Sequence, residues 1–158
     1  MNGNQNEQLC FTQRRIERKS QKAQRNLDRI MTENELSRVI IEAAIEVHRH
    51  LGPGLLESIY EEALAHELAH THQLEVERQK EIPVFYKGKA MGKGFRADLI
   101  VNGKVIVELK SVEELNPVHF KTLLTYLKLT DTRLGLLLNF NEEFLRNGIK
   151  RVVNGLRD

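Results

Sequence analysis

The feature that most constrains this chain is a pair of apolar, β-branched stretches separated by Asn102-Gly103. Phe95-Arg96-Ala97-Asp98-Leu99-Ile100-Val101 precedes the turn and Lys104-Val105-Ile106-Val107-Glu108-Leu109-Lys110 follows it. Asn-Gly between two such runs is a strong hairpin signal. Successive strand side chains point to opposite faces. Ala97, Leu99 and Val101 therefore share one face, and Arg96, Asp98 and Ile100 the other. On the second strand Val105, Val107 and Leu109 point one way, and Ile106, Glu108 and Lys110 the other. The apolar faces coincide when Val101 opposes Val105 and Leu99 opposes Val107, which sets Asp98 opposite Glu108 with Lys110 beside them. A plain two-residue turn would set Asp98 against Val107 instead. The hairpin is therefore expected to use an odd loop, such as a three-residue turn with a bulge at Gly103.

The rest of the chain reads around this hairpin. Thr32-Glu33-Asn34-Glu35 fits a capping box, and Leu36, Val39, Ile40, Ala43, Val47 and Leu51 follow at helical spacing. Gly52-Pro53-Gly54 stops that helix. A second helix is expected from Leu55 to His70, with Leu56, Ile59, Ala63 and Leu64 on its apolar side. Val76 to Tyr86 reads as a strand with Ile82, Val84 and Phe85 in the core, and Lys87-Gly88 as a turn. Asn116-Pro117 supplies a cap and a first-turn proline for a helix to Leu129. Leu134 to Phe140 is almost wholly apolar, as expected of a strand buried on both faces. A last helix is expected from Glu142 to Leu156, with Leu145, Ile149, Val152, Val153 and Leu156 inward. The order α-α-β-β-β-α-β-α predicts an α/β fold with an α+β-like mixed sheet flanked by helices.

Composition narrows the function classes. The 158 residues suit one domain with a short segment to spare. Residues 1–30 hold seven basic and three acidic side chains, net +4, so the remainder carries −2 of the total +2. The apolar-poor stretch 1–31 reads as a flexible basic tail, and 32–158 as the folded domain. The tail is read as a solvated extension ahead of a nucleic-acid arm or an amphipathic partner helix. Cys10 is alone, so no intrachain disulfide forms. No signal-like or bilayer-length apolar run is present. The expectation is a reduced, cytoplasmic protein with no membrane partner.

Two carboxylates about 5 Å apart on a half-buried sheet face repel each other. A divalent cation relieves that repulsion, and hard oxygen ligands suit Mg²⁺ or Mn²⁺. Asp98 and Glu108 are the expected ligands, with the Leu109 carbonyl as a third. Lys110 stands where it can activate a water and offset charge on a phosphate. Against this, Glu108 and Lys110 can be edge charges and Asp98 a partner of Arg96. Glu57, one turn into the second helix, reads as a further ligand or as a helix-dipole glutamate, and Tyr60 beside it as a hydrogen-bond donor or a packing residue. His48, His50, His66, His70 and His72 suggest no ligand set. His119 either approaches a phosphate or caps its helix.

Gly54-Leu55-Leu56-Glu57-Ser58-Ile59-Tyr60 resembles the signature of the GxxExxY family, within the PD-(D/E)XK nuclease superfamily. Ala44-Ile45-Glu46-Val47-His48, Arg96-Ala97-Asp98-Leu99-Ile100, Val107-Glu108-Leu109-Lys110-Ser111, Leu123-Leu124-Thr125-Tyr126-Leu127-Lys128 and Gly135-Leu136-Leu137-Leu138-Asn139-Phe140 are similar to that family too. The resemblance spans about residues 33–156. It implies a restriction-endonuclease-like core, α-β-β-β-α-β, and metal-dependent phosphodiester hydrolysis on DNA ahead of RNA. It makes Glu57 the helix acid, Asp98 and Glu108 the metal ligands and Lys110 the catalytic lysine. The family's His-x-x-Gln-x-x-x-Tyr falls on His119, Thr122 and Tyr126, with Thr122 lacking the amide of the usual Gln. The alternative expectation is a non-catalytic nucleic-acid-binding or protein-interaction module, as a homo-oligomer or in a larger assembly.

Overall fold

The computed structural model describes residues 31–92 and 94–156. In chain order they form α1 (Glu33–Leu51), α2 (Glu57–His66) continued by one π turn (Glu67–Thr71), β1 (Val76–Ile82), a ribbon of β2 (Phe85–Tyr86) and β3 (Lys89–Ala90), β4 (Phe95–Val101), β5 (Val105–Lys110), α3 (Pro117–Leu129), β6 (Leu134–Asn139), a 3₁₀ turn (Leu145–Gly148) and β7 (Ile149–Val153). The expected tail, residues 1–31, lies outside the described residues except for Met31.

The hairpin adopts the register that its apolar faces require. Val101 pairs with Val105, Ile100 with Ile106 and Leu99 with Val107. Asn102 and Gly103 both take positive φ, 48° and 63°, and the Lys104 N–H donates to the Val101 carbonyl at 3.0 Å. The loop thus spans three residues, Asn102 to Lys104. The Asn102 side chain also accepts the Glu75 N–H at 2.8 Å, which ties the loop to the start of β1.

Five strands form one mixed sheet in the order β1-β4-β5-β6-β7. Only β5 and β6 are parallel, joined by the α3 crossover. All six residues of β6 are buried, as its apolar run requires. Gly135 lets α3 approach closely, since a Cβ there would meet Leu123 Cδ1 at 2.9 Å. Leu123, Tyr126 and Leu127 of α3 pack on Ile100, Ile106 and Leu137. The alternate positions Leu99, Val107, Leu136 and Leu138 are fully buried as well. Asn116 caps α3 by accepting the Val118 N–H at 3.0 Å.

Four expectations are corrected. The C-terminal helix is instead a 3₁₀ turn and strand β7, antiparallel to β6. Leu145, Ile149, Val152, Val153 and Leu156 mimic helical spacing, but Gly148 must be glycine-small because a Cβ would lie 2.5 Å from the Asn139 carbonyl. The β-branched residues beyond it favour a strand, and β7 covers an edge of β6 that would otherwise be open. On α2 the inward face is Tyr60, Glu61, Leu64 and Ala65, which shares only Leu64 with the expected set. Leu56 and Ile59 are 74% and 45% exposed. A buried, paired glutamate at position 61 disguises the true face. On α1, Val39 is only half-buried and Leu51 is exposed, while His48 is buried. Finally, the extended stretch after Val76 breaks at Pro83, which lacks the N–H to continue a ladder. Of its expected core residues Ile82 is buried, but Phe85 is 62% exposed.

Candidate active site

The β4–β5 ladder is paired as far as Leu99–Val107. One residue further, side chains take over from the main chain. The Asp98 N–H donates to Glu108 Oε1 at 3.3 Å, and the Leu109 N–H donates to Asp98 Oδ2 at 2.9 Å. Strand alternation from Ile100 and Ile106 puts both carboxylates on one face. Lys110, on the same face, donates to the Leu109 carbonyl at 2.9 Å and lies 3.5 Å from Glu108 Oε2.

Glu57 reaches this cluster from the first turn of α2. Its Oε2 lies 4.0 Å from Lys110 Nζ, and its Oε1 accepts the Ser111 N–H at 3.1 Å. The Ser111 hydroxyl donates to the Leu55 carbonyl at 2.7 Å. Tyr60 is fully buried. Its hydroxyl donates to the Gly52 carbonyl at 2.6 Å and accepts the Leu55 N–H at 3.0 Å, while its ring stacks on Phe140 at 4.4 Å. Tyr60 thus packs and locks the Gly-Pro-Gly loop that leads into α2 and Glu57. A cleft of about 550 Å³ opens beside the cluster, walled by Glu57, Glu61, Gln79, Asp98 and Ser111 with Leu55 and Leu56.

Electrostatics single out Glu108. It is 5% exposed, and burial, reinforced by the Asp98 charge, pushes its carboxyl up to about 8 against the Lys110 ammonium. Asp98 is also raised, first by burial. The Leu109 N–H and Lys110 oppose the shift, and Glu61 adds to it. Tyr126 is pushed up to about 12 by burial and then by Glu108 and Asp98. The two acids cannot both ionise cheaply without a further cation. Their donor set, two carboxylates and the Leu109 carbonyl, is all hard oxygen and fits Mg²⁺ or Mn²⁺, which keep several waters. Among the described residues no group of three His, Cys, Asp or Glu side chains is arranged to hold a metal ion, so any cation here rests on fewer side-chain carboxylates than a closed cage.

Asp98, Glu108, Leu109, Lys110 and Glu57 are therefore brought together. His119 caps α3, its Nδ1 accepting the Asn116 N–H at 3.2 Å. Thr122 and Tyr126 follow on that helix at positions that share a face with His119. His48 is spent on structure, its Nε2 2.9 Å from the Glu142 carbonyl. The rings of His66 and His70 lie 4.4 Å apart.

Three contributors have little sequence signal. Glu61 is 6% exposed and accepts from Arg78 Nε at 2.9 Å and Gln79 Nε2 at 2.5 Å. Gln79, at a left-handed φ of 50°, also donates to Asp98 Oδ1 at 3.3 Å. Asn139 is fully buried and bonds both ways to Val112, at 3.1 and 2.9 Å. This holds the segment just after Lys110. A polar residue closing an apolar run was the one visible hint.

No helix among the described residues is long and apolar enough to cross a membrane. No curated protein and no solved structure matches the chain significantly. A family model described as the PD-(D/E)XK nuclease superfamily matches residues 34–152.

Proposed function

The chain belongs to the PD-(D/E)XK nuclease superfamily, and on that premise we propose that it hydrolyses phosphodiester bonds of nucleic acid, DNA in preference to RNA, with Mg²⁺ or Mn²⁺. The observation that carries this reading is the convergence of Asp98, Glu108 and Lys110 just past the last paired residues of β4 and β5, with Glu108 buried and its carboxyl pKa raised. Asp98, Glu108 and the Leu109 carbonyl would hold the cation. When bound, it supplies charge that polarises the phosphate and acidifies a water. Lys110 would orient that water and offset the charge developing on the phosphate. Glu57, its Oε2 4.0 Å from Lys110 Nζ, would steer the ammonium and offset part of its charge. Gln79 orients Asp98 through Oδ1, and Glu61 holds Gln79.

Within the superfamily we place the chain in the GxxExxY family. Gly54, Glu57 and Tyr60 support this, since Tyr60 locks the loop that presents Glu57 to Lys110. The test is cleavage of plasmid, single-stranded DNA and RNA with and without Mg²⁺ or Mn²⁺. Metal-dependent cleavage is expected. Metal-independent binding without cleavage of any substrate would favour the second reading, a binding module, which rests on Thr122 at the usual Gln position.

A further inference from the structure

The chain between β1 and β4 leaves the sheet at the end where the carboxylates sit. Phe95 opens β4 three residues before Asp98, about 10 Å along a strand, and β5 brings Glu108 and Lys110 to the same end. This excursion is not a slack loop. Phe85 pairs with Ala90 and Tyr86 with Lys89, and the Met91 N–H donates to the Val84 carbonyl at 2.8 Å. Lys87 and Gly88 turn it at positive φ, 49° and 79°. Its root is tight, since a Cβ on Gly94 would sit 2.1 Å from the Ile82 carbonyl.

The ribbon presents what a core would hide. Phe85 and Tyr86 are each 62% exposed. Residues 83–95 contain three lysines, Lys87, Lys89 and Lys93, and no acid. Among the described residues neither Lys87 nor Lys89 is ion-paired, and Lys87 lies over the Tyr86 ring at 5.5 Å. At the root the Phe95 ring packs on Tyr126 at 5.2 Å, on the helix that also carries His119 and Thr122. Exposed rings interleaved with lysines on a rigid support are the combination that binds nucleic acid through unpaired bases: rings stack on bases and ammonium groups track phosphates. Lysine is depleted in the cores of protein–protein interfaces, which argues against a protein occupant.

We propose that the β2–β3 ribbon is a substrate-engaging element that stacks unpaired bases on Phe85 and Tyr86 and holds the adjoining backbone with Lys87 and Lys89, so that the favoured substrate has a single-stranded portion. The proposal rests on the nuclease reading only in naming the ribbon's ligand as substrate, and binding in EDTA tests it apart from cleavage.

The full chain is titrated into fluorescein-labelled dT20 and into a 20-base-pair duplex, in EDTA, at two salt concentrations. The parent is expected to bind dT20 more tightly than the duplex. Phe85→Ala with Tyr86→Ala should weaken dT20 binding by about 10-fold or more, with an unchanged salt slope. Lys87→Ala with Lys89→Ala should reduce the slope by about 1 to 2. The chain has no tryptophan, so Phe85→Trp supplies a sole indole, whose emission should be quenched by dT20 and much less by the duplex. Unchanged dT20 affinity after loss of both rings, an unquenched indole, or a parent that does not bind dT20 would each overturn the proposal. So would loss of self-association, with dT20 binding kept, in the double alanine variant, since the ribbon would then join copies of this chain. A parent that cleaves with metal while its ribbon variants bind dT20 normally refutes the ribbon alone. A parent that never cleaves but loses dT20 binding with the rings refutes the nuclease reading alone.

Discussion

Asp98 and Glu108 hold each other's strands: the Asp98 N–H donates to Glu108 Oε1 at 3.3 Å, and Asp98 Oδ2 accepts the Leu109 N–H at 2.9 Å. The acids that would bind a cation are thus also the last hydrogen-bonding link between β4 and β5. A substitution that removes a carboxylate oxygen therefore risks two effects at once. Replacements that keep the hydrogen-bonding oxygen and remove only the charge separate them.

Asp98→Asn keeps an oxygen for the Leu109 N–H but removes the charge. The variant should fold and melt close to the parent. Its Mn²⁺ affinity by calorimetry should fall by at least about 10-fold, in line with the sensitivity of metal sites to their surroundings. Equal Mn²⁺ binding by parent and variant would place the cation elsewhere.

Glu108 links the metal-free fold to pH. Its folded value is about 8 against an ordinary 4.5, so the folded state binds the proton more tightly than the unfolded one. That stability is fully present below pH 4.5 and is lost as pH rises through 8. In EDTA the parent should melt at a lower temperature at pH 8.5 than at pH 5. Glu108→Gln, neutral throughout, should flatten that dependence and melt above the parent at pH 8.5. Added Mg²⁺ should restore the parent at high pH and leave the variant unmoved. A parent melting curve independent of pH in EDTA would remove the buried-acid account.

The hairpin was legible because its apolar faces admit one register, which overrides the plain two-residue turn that Asn102-Gly103 alone would suggest and requires the longer loop. That Asp98, Glu108 and Lys110 share one face followed from strand parity in that register. Glu61 and Gln79 were not legible, since a charged residue on a helix reads as solvent-facing until its partners Arg78 and Gln79 are known, and those come from a strand 17 and 18 residues away. The strand β7 was missed because Ile149, Val152 and Val153 satisfy a helical period. What decides against a helix is a long-range fact, the open edge of β6 and the crowding of Gly148 by Asn139.

Residues 1–30 carry net +4 and precede the family match, which begins at residue 34. Their removal should leave the melting temperature of the remainder unchanged. It should also flatten the salt dependence of nucleic-acid binding, since fewer counterions are released. A shortened chain that unfolds would show that this stretch packs on the domain.

Lys110 is the residue on which the catalytic reading turns. Its ammonium lies 2.9 Å from the Leu109 carbonyl, 3.5 Å from Glu108 and 4.0 Å from Glu57. It is therefore held by acceptors on two elements, β5 and α2. It donates and is not a ligand, so Lys110→Ala should keep the fold and bind Mn²⁺ about as the parent does. Cleavage should fall by about 10²–10³, the usual effect of removing one preorganised charge at a developing anion. Lys110→Arg should not fully rescue, because a planar guanidinium does not replace a compact ammonium among three acceptors. Glu57→Gln should act more mildly, since it loosens the ammonium without removing it. Rates are compared at one saturating metal concentration, so that a difference in cation affinity does not enter. Metal-dependent cleavage by Lys110→Ala as fast as by the parent would take the lysine out of the reaction and leave it a partner of Glu57 and Glu108 only.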